Sequence, residues 1–306
     1  MITSSPFGPA IGPLLIARST SVTILPVSPE SARPLFIVGN KRSGTSLLVR
    51  LLNLHPRIFV SHESDIVWIL YQFHERKPFE PHPWDSGRGM GITLSTCRSL
   101  LSLDRTPLEN FYAVQTAMMR AGNPWLPALR KDELDWIGDK KPFQHGDPRL
   151  VDFILLNLPR ARFIHLVRHP FQVVASVRRF NRTANGDFWK ELSGEEQIER
   201  WLFHEERVLD LKRRVGEQLI DVRYEDLCKK PAEEMARLLT FLEVDQLPPQ
   251  SADDIKRQTL PPRRRAPAIT CSDRSRAVAE LYGYSLAPPG KAGRLAFFWS
   301  RLMGRV

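Results

Sequence analysis

Short runs of apolar residues alternate along this chain with longer segments in which apolar residues recur every three or four positions. The apolar runs lie at residues 34–38, 163–167 and 219–224, and each has the length of a buried strand. The amphipathic segments predict helices after Gly44, over 148–158, after Pro170, over 195–214 and from Pro231. Strands and helices that alternate in this way predict an α/β fold, a three-layer sandwich whose parallel sheet carries helices on both faces.

The turn between the first strand and the first helix has the composition of a phosphate-binding loop, and we call it the phosphate loop (residues 39–46). Its two glycines lie five residues apart, so backbone N–H groups and the positive end of the helix dipole can point at one anion. The loop is P-loop-like, but Thr45 stands where the pattern Gly-x-x-x-x-Gly-Lys-Ser/Thr needs lysine. The cations Lys41 and Arg42 stand earlier, so the lysine that reaches the terminal phosphates of ATP is missing.

A second anion-binding element follows the strand predicted at 163–167. Arg168 ends this strand, Pro170 suits the first turn of the next helix, and Ser176 lies about two turns into that helix. Arginine supplies a fork of donors and serine a hydroxyl, so the two side chains could converge on one phosphate.

The phosphate loop and the spacing of Arg168 and Ser176 resemble the sulfotransferase family, in particular its tyrosylprotein and bacterial branch. The resemblance implies that the loop holds the 5′-phosphosulfate of the donor PAPS (3′-phosphoadenosine 5′-phosphosulfate) and that Arg168 and Ser176 hold the 3′-phosphate. Tyr224 resembles the tyrosine that contacts the adenine base, and a tyrosine that caps the sheet edge is the alternative. The implied donor-binding residues are Lys41, Arg42, Ser43, Gly44, Thr45, Ser46, Arg168, Ser176 and Tyr224.

Two further segments, 54–64 and 138–143, resemble elements of the same branch, where the second element precedes the second strand. On this resemblance Glu63 is the general base, and Lys140 stabilises the leaving phosphate with Arg42. The alternative without a catalytic role is that Glu63 follows a helix and is simply solvated.

Other residues leave the choice of base open. His62 is the alternative, since a histidine serves in the cytosolic sulfotransferases, and His145 is a third candidate with no motif behind it. The chain also departs from the tyrosylprotein enzymes at Asp65, where they carry a basic residue. That departure weighs against a cationic pocket for acidic protein substrates.

The function implied is transfer of the sulfuryl group of PAPS to a hydroxyl or amine by in-line displacement, as in phosphoryl transfer. No His, Cys and Asp cluster has metal-ligand spacing, and the transferred group carries less charge than a γ-phosphate, so we expect no metal. One alternative is a P-loop kinase, which the absent loop lysine disfavours. The other is a non-catalytic basic module that binds nucleic acid or a membrane, which leaves the paired phosphate elements unexplained.

Composition agrees with one soluble α/β domain flanked by accessory ends. The 306 residues are 42% hydrophobic, and the three cysteines are odd in number and widely spaced, which argues against a disulfide framework and for the cytoplasm. The net charge of +10 suits a polyanionic ligand. We expect a flexible N-terminal segment (1–33), a sulfotransferase domain (34–286) and a basic amphipathic tail (287–306).

Two segments, the tail and a central insertion, indicate which partners the chain could bind. The tail mixes aromatic residues with cations over 291–305, so it either contacts a membrane peripherally or packs on the core of the domain. The arginine run 263–265 is either solvated or near the donor phosphate. Residues 74–136 are rich in Pro, Trp and Phe and are expected to line the acceptor pocket. The acceptor itself, whether small molecule, carbohydrate, lipid or peptide, is not fixed by the sequence; nucleic acid is not expected.

Overall fold

A computed structural model describes residues 32–183, 189–247, 254 and 269–286 of the chain. Five parallel strands form one sheet with helices against its two faces, as the alternating pattern predicts. The strands are β1 (Arg33–Gly39), β2 (Ile58–His62), β3 (Trp136–Lys140), β4 (Arg162–Val167) and β5 (Leu219–Arg223). Their order across the sheet is β2-β3-β1-β4-β5, so β1 lies at the centre between β3 and β4.

Helices fill most of the connections between the strands. In chain order they are α1 (Thr45–Leu52), α2 (Ile66–His74), α3 (Arg88–Cys97), α4 (Pro107–Ala121), α5 (Pro148–Asn157), α6 (Pro170–Phe180), α7 (Gly194–Val215), α8 (Tyr224–Lys229), α9 (Pro231–Phe241) and α10 (Asp273–Leu281). Short 3₁₀ turns lie at Arg98–Leu100, Gln144–Gly146 and Gly216–Gln218. The predicted helices at 148–158 and 195–214 are present, each within one residue of its predicted bounds, and helices begin at Pro170 and Pro231 as predicted.

Local chemistry explains where several helices begin. Thr106 before α4 and Ser193 before α7 each form a capping box with a glutamate three residues on. Proline at the first position opens α5 and α6, where a missing N–H costs nothing.

The sheet is buried on both faces, which accounts for the unbroken apolar runs. The four residues Leu35, Phe36, Ile37 and Val38 are at most 1% exposed. A second apolar cluster, which includes the fully buried Trp201, joins α6, α7 and α10 beyond the end of β4. The helix α10 is therefore part of the domain, packed against α7.

Two strands lie where the sequence pattern indicates none. Residues 58–62 form β2 and residues 136–140 form β3, since Ile58 to His62 pair with Trp136 to Lys140 in parallel register. The segment 138–143 therefore begins inside a strand that the pattern does not indicate, and it still precedes the strand predicted at 163–167, which is β4. Both strands are only five residues long and include polar residues buried in the sheet, such as Ser61 and Asp139, so their hydrophobic pattern is weak.

A buried polar network anchors the start of the phosphate loop. The amide of Asn40 donates to the carboxylate of Glu205 on α7 at 2.7 Å. The imidazole of His165 on β4 lies between Glu205, at 3.1 Å, and Asp221 on β5, at 2.8 Å. Burial lowers the pKa of His165, but the two carboxylates outweigh burial and raise that pKa to about 9.

The charged His165 is expected to make stability fall at alkaline pH. Because its folded pKa lies above the unfolded value near 6.5, the contribution is complete below about pH 6.5 and is lost as pH rises through about 9. His165→Gln should flatten the pH dependence of the unfolding free energy over that range, by an amount on the order of 3 kcal/mol. Denaturant unfolding of both proteins from pH 6 to 10 measures the difference; identical slopes would contradict the charge assignment.

Several expectations fall on residues that the structure does not describe. The N-terminal segment up to residue 31, the arginine run 263–265 and the tail 287–306 lie outside the described residues. Within the described residues, no helix combines the length and apolar character that a membrane crossing needs.

Candidate active site

The predicted site residues come together because each follows the carboxyl end of a parallel strand. The phosphate loop follows β1, Glu63 follows β2, Lys140 ends β3, Arg168 follows β4 and Tyr224 follows β5. Parallel strands of one sheet end at the same edge, and ligands of open α/β sheets bind there. A cavity of about 1090 Å³ opens at this edge.

The phosphate loop presents its helix terminus to the cavity. Gly44 caps α1 in a left-handed conformation with φ of 100°, and no side chain caps the helix. A side chain at Gly44 would overlap the ring of Tyr224, so glycine is required for both conformation and contact. The first turn of α1 is thus open to an anion in the cavity.

Arg42, Arg168 and Ser176 converge beside this terminus. The Nε of Arg42 donates to the hydroxyl of Ser176 at 3.3 Å, and a guanidinium nitrogen of Arg168 donates to the carbonyl of Arg42 at 2.9 Å. The guanidinium of Arg168 also lies 4.2 Å from the centre of the Tyr224 ring. The Nε of Arg168 is buried and donates to no described residue.

Most of the predicted donor-binding residues line the cavity. The exception is Ser43, whose fully buried side chain does not reach it and whose N–H donates to the carbonyl of Asn40. Lys41 does line the cavity, 3.7 Å from Asp85, and its ammonium lies over the ring of Phe143.

Glu63 is an ion-paired residue at the cavity wall. It follows the strand β2, not a helix, and its carboxylate contacts the ammonium groups of Lys140 and Lys141. The interpretation that Glu63 is merely solvated is therefore wrong. Burial raises the pKa of Glu63, but the two lysine charges outweigh burial and lower that pKa to about 2. Glu63 is ionised at neutral pH and can accept a proton.

Lys140 lies deeper than Glu63. Its side chain is 1% exposed and does not line the cavity; its ammonium is bound to the Glu63 carboxylate. Burial lowers the pKa of Lys140, while Glu63 favours its charged form.

The two histidine candidates do not line the cavity. His62 is 7% exposed and shares a hydrogen bond of 2.8 Å with the Ser46 hydroxyl; burial and the charge of Lys140 lower its pKa to about 3, so it is neutral. His145 is buried beneath the sheet edge, 3.2 Å from Asp139 and 3.3 Å from the carbonyl of Ile37. Of the three proposed bases, only Glu63 reaches the cavity.

The sequence argument missed a second group of charged residues at the site. Lys141, which follows β3, contacts Glu63, Asp65 and Asp85. Asp65 is 1% exposed and does not line the cavity, so the departure that weighed against a cationic pocket places no carboxylate in the described cavity wall. Asp85 does line the cavity, and its position in a proline-rich loop has no sequence pattern that would have indicated it.

The described cavity wall is mainly cationic and aromatic. Four further cations line it that the motifs did not include: Arg50, Arg179, Lys190 and Arg200. Arg179 lies one helical turn beyond Ser176 on α6, a spacing that could have indicated it. From the insertion at 74–136, only the stretch 83–86, which includes Trp84, lines this cavity. Among the residues that the structure describes, no group of His, Cys, Asp and Glu could hold a metal ion.

Comparison with known proteins identifies the family of this chain. The family model described as "Sulfotransferase family" matches residues 34–249. An uncharacterized curated protein of Aquifex aeolicus (strain VF5) is 24% identical over 232 residues, which are 70% of this chain and 26% of that protein. The chain thus spans about a quarter of the length of the curated relative it matches.

Two solved structures share the fold. The sulfotransferase domain of the Synechococcus PCC 7002 olefin synthase is 22% identical, with a TM-score of 0.54, and the match covers 84% of this chain and 97% of that one. The sulfotransferase domain from the curacin biosynthetic pathway is 19% identical, with a TM-score of 0.52, and the match covers 84% and 99%.

Proposed function

Because this chain belongs to the sulfotransferase family, we propose that it moves the sulfuryl group of PAPS to a hydroxyl or amine acceptor by in-line displacement. The observation that carries the proposal is the convergence of Arg42, Arg168 and Ser176 beside the open first turn of α1. Two separate anion-binding elements on one cavity suit a ligand with two separate anionic groups, and PAPS has a phosphosulfate and a 3′-phosphate.

The proposed roles combine the position of each residue at the cavity with the family resemblance. The α1 terminus and Arg42 bind the phosphosulfate, Arg168 and Ser176 bind the 3′-phosphate, and Tyr224 lies against Arg168, where the adenosine end belongs. Glu63 takes the acceptor proton. Lys140, whose ammonium lies behind Glu63 at the cavity wall, is assigned from the family resemblance to stabilise the negative charge that grows on the bridging phosphate oxygen as the sulfuryl group leaves.

Ligand-induced thermal shift separates this proposal from the kinase alternative. A ligand that binds only the folded protein stabilises it by about 2.7 kcal/mol at 100 times its dissociation constant. We expect 3′,5′-ADP, the product of PAPS, to raise the melting temperature and ATP with Mg²⁺ to raise it less. Stabilisation by ATP with Mg²⁺ alone would refute the proposal.

Arg168→Ala is expected to weaken binding of 3′,5′-ADP far more than binding of 5′-AMP, because only the former carries the 3′-phosphate. A charge-assisted hydrogen bond is worth about 1.5–3 kcal/mol, or roughly 10- to 150-fold in the dissociation constant. Isothermal titration with both nucleotides measures the ratio. Arg200→Ala, at another cavity-lining arginine, is the control and should affect both nucleotides alike. An equal loss for both nucleotides in Arg168→Ala would reject the assignment.

The acceptor belongs to the proposal only as a chemical class, a nucleophilic hydroxyl or amine. A screen of small alcohols, phenols, carbohydrates, glycolipids and tyrosine peptides with sulfur-labelled PAPS identifies it. Peripheral membrane contact through 291–305 is a separate proposal, which vesicle co-sedimentation of the chain with and without the tail would test.

A further inference from the structure

Among the residues that the structure describes, Lys141 is the most heavily ion-paired one that the proposed chemistry leaves without a role. Its side chain is 2% exposed, and its ammonium lies 2.8 Å from Asp65, 3.0 Å from Asp85 and 3.3 Å from Glu63. An ammonium has three protons to donate, and here three carboxylates surround it. Lys141 does not line the cavity, and its contacts with Glu63 and Asp85 connect it to two residues that do.

The three carboxylates belong to three different parts of the fold. Glu63 follows β2, Asp65 precedes α2, and Asp85 lies in the loop before α3. Glu63 and Asp65 both have left-handed backbones, with φ of 57° and 55°, a conformation that non-glycine residues adopt only when surrounding contacts hold it. A side chain at Gly89 on α3 would overlap the Glu63 carbonyl and the Asp65 carboxylate, so the segments meet closely.

The two oxygens of the Glu63 carboxylate have different lysine partners. Lys140 binds Oε1, and Lys141 lies near Oε2. In the proposed reaction Lys140 has a second task, because it must stabilise the leaving phosphate. Lys141 has no proposed role at the phosphate, and its contact is with the other oxygen of the Glu63 carboxylate.

We propose that Lys141 is a positioning residue, which holds the Glu63 carboxylate at the cavity wall and joins it to the Asp85 loop. This inference rests on the proposed function, since the role of Lys141 depends on Glu63 being the base. The charge state of Lys141 also supports the inference. Burial lowers the pKa of Lys141, but the three carboxylates outweigh burial and raise that pKa above its usual value, so the ammonium stays charged.

Other charged groups also act on Glu63 and Lys141, and the test must distinguish their effects from the effect of Lys141 on Glu63. The titratable groups that surround the pair are Lys41 from the phosphate loop, His62 from β2, Asp65 before α2, Asp85 before α3 and Lys140 from β3. The charges of Lys140 and of Lys141 itself lower the pKa of Glu63 most.

The test compares Lys141→Met with Lys131→Met. Lys131 is also largely buried, but its ammonium contacts only backbone carbonyls of residues 53, 55 and 58, so its loss removes a buried charge without touching Glu63. Carbon-13 NMR of glutamate-labelled protein follows the Glu63 carboxyl, assigned with Glu63→Gln. We expect Lys141→Met to raise the midpoint of the Glu63 titration by about one pH unit or more, and Lys131→Met to leave it unchanged.

The same shift is expected in the acid limb of kcat/KM against pH, with PAPS and the acceptor that the screen identifies. If Lys141→Met does not fold, Lys141→Met combined with Asp65→Asn removes one buried carboxylate together with the ammonium and gives the same two measurements. An unchanged Glu63 midpoint in the Lys141 variant, or an equal shift in the Lys131 control, overturns the inference. Failure of the wild-type protein to bind 3′,5′-ADP refutes the proposed function instead, and the NMR titration still decides whether Lys141 controls Glu63.

Discussion

Glu63→Gln is expected to lower turnover by roughly 10²–10⁴-fold and to leave 3′,5′-ADP affinity equal to or tighter than that of the wild type. The amide keeps the shape of the side chain but takes no proton from the acceptor. The substitution also removes a negative charge next to Lys140 and Lys141, so the cavity becomes more favourable for an anionic nucleotide. Initial rates with labelled PAPS and titration calorimetry with 3′,5′-ADP measure the two quantities.

His62→Ala is the comparison that decides the identity of the base. His62 is neutral, bound to Ser46 and absent from the cavity wall, so its loss should change turnover far less than Glu63→Gln. If His62→Ala abolished turnover while Glu63→Gln remained active, Glu63 would not be the base.

The strands β1, β4 and β5 follow from local sequence pattern, whereas β2 and β3, at one edge of the sheet, do not. The strands β1 and β4 are buried on both faces, so their apolar runs are continuous and easily recognised. The strands β2 and β3 carry buried polar residues that pair with one another, such as Ser61 with Asp139 at 2.7 Å. Such pairs satisfy polar groups only once the strands have met, so no single segment reveals them.

The site shows the same division. Arg42, Arg168 and Ser176 were predictable, since each lies at a fixed spacing from a strand end or a glycine turn. The cluster around Lys141 was not. Its members come from residues 63, 65, 85 and 141, and only the assembled sheet and the close approach of α3 at Gly89 bring them together. Asp65 shows why sequence position alone does not place a side chain in the site, because its carboxylate is buried against Lys141 and does not line the cavity.

Lys140→Met is expected to lower turnover by roughly 10²–10³-fold, both with and without excess EDTA. The methionine fills the buried space but removes the charge that, in the proposed reaction, stabilises the leaving phosphate in the transition state.

Loss of Lys140 also leaves the buried Glu63 with Lys141 as its remaining lysine partner, so the substitution changes stability as well as chemistry. Thermal unfolding of Lys140→Met and of the double variant with Glu63→Gln separates the two, because the double variant removes both partners of the ion pair at once. If the double variant recovers stability, the broken ion pair accounts for the lost stability of Lys140→Met. Turnover of the double variant that falls below that of Glu63→Gln alone then shows that Lys140 acts in the reaction itself. Wild-type activity that persists in EDTA would support fixed protein cations as the source of charge stabilisation, whereas activity that requires added Mg²⁺ would favour a kinase-like mechanism and refute the role given to Lys140.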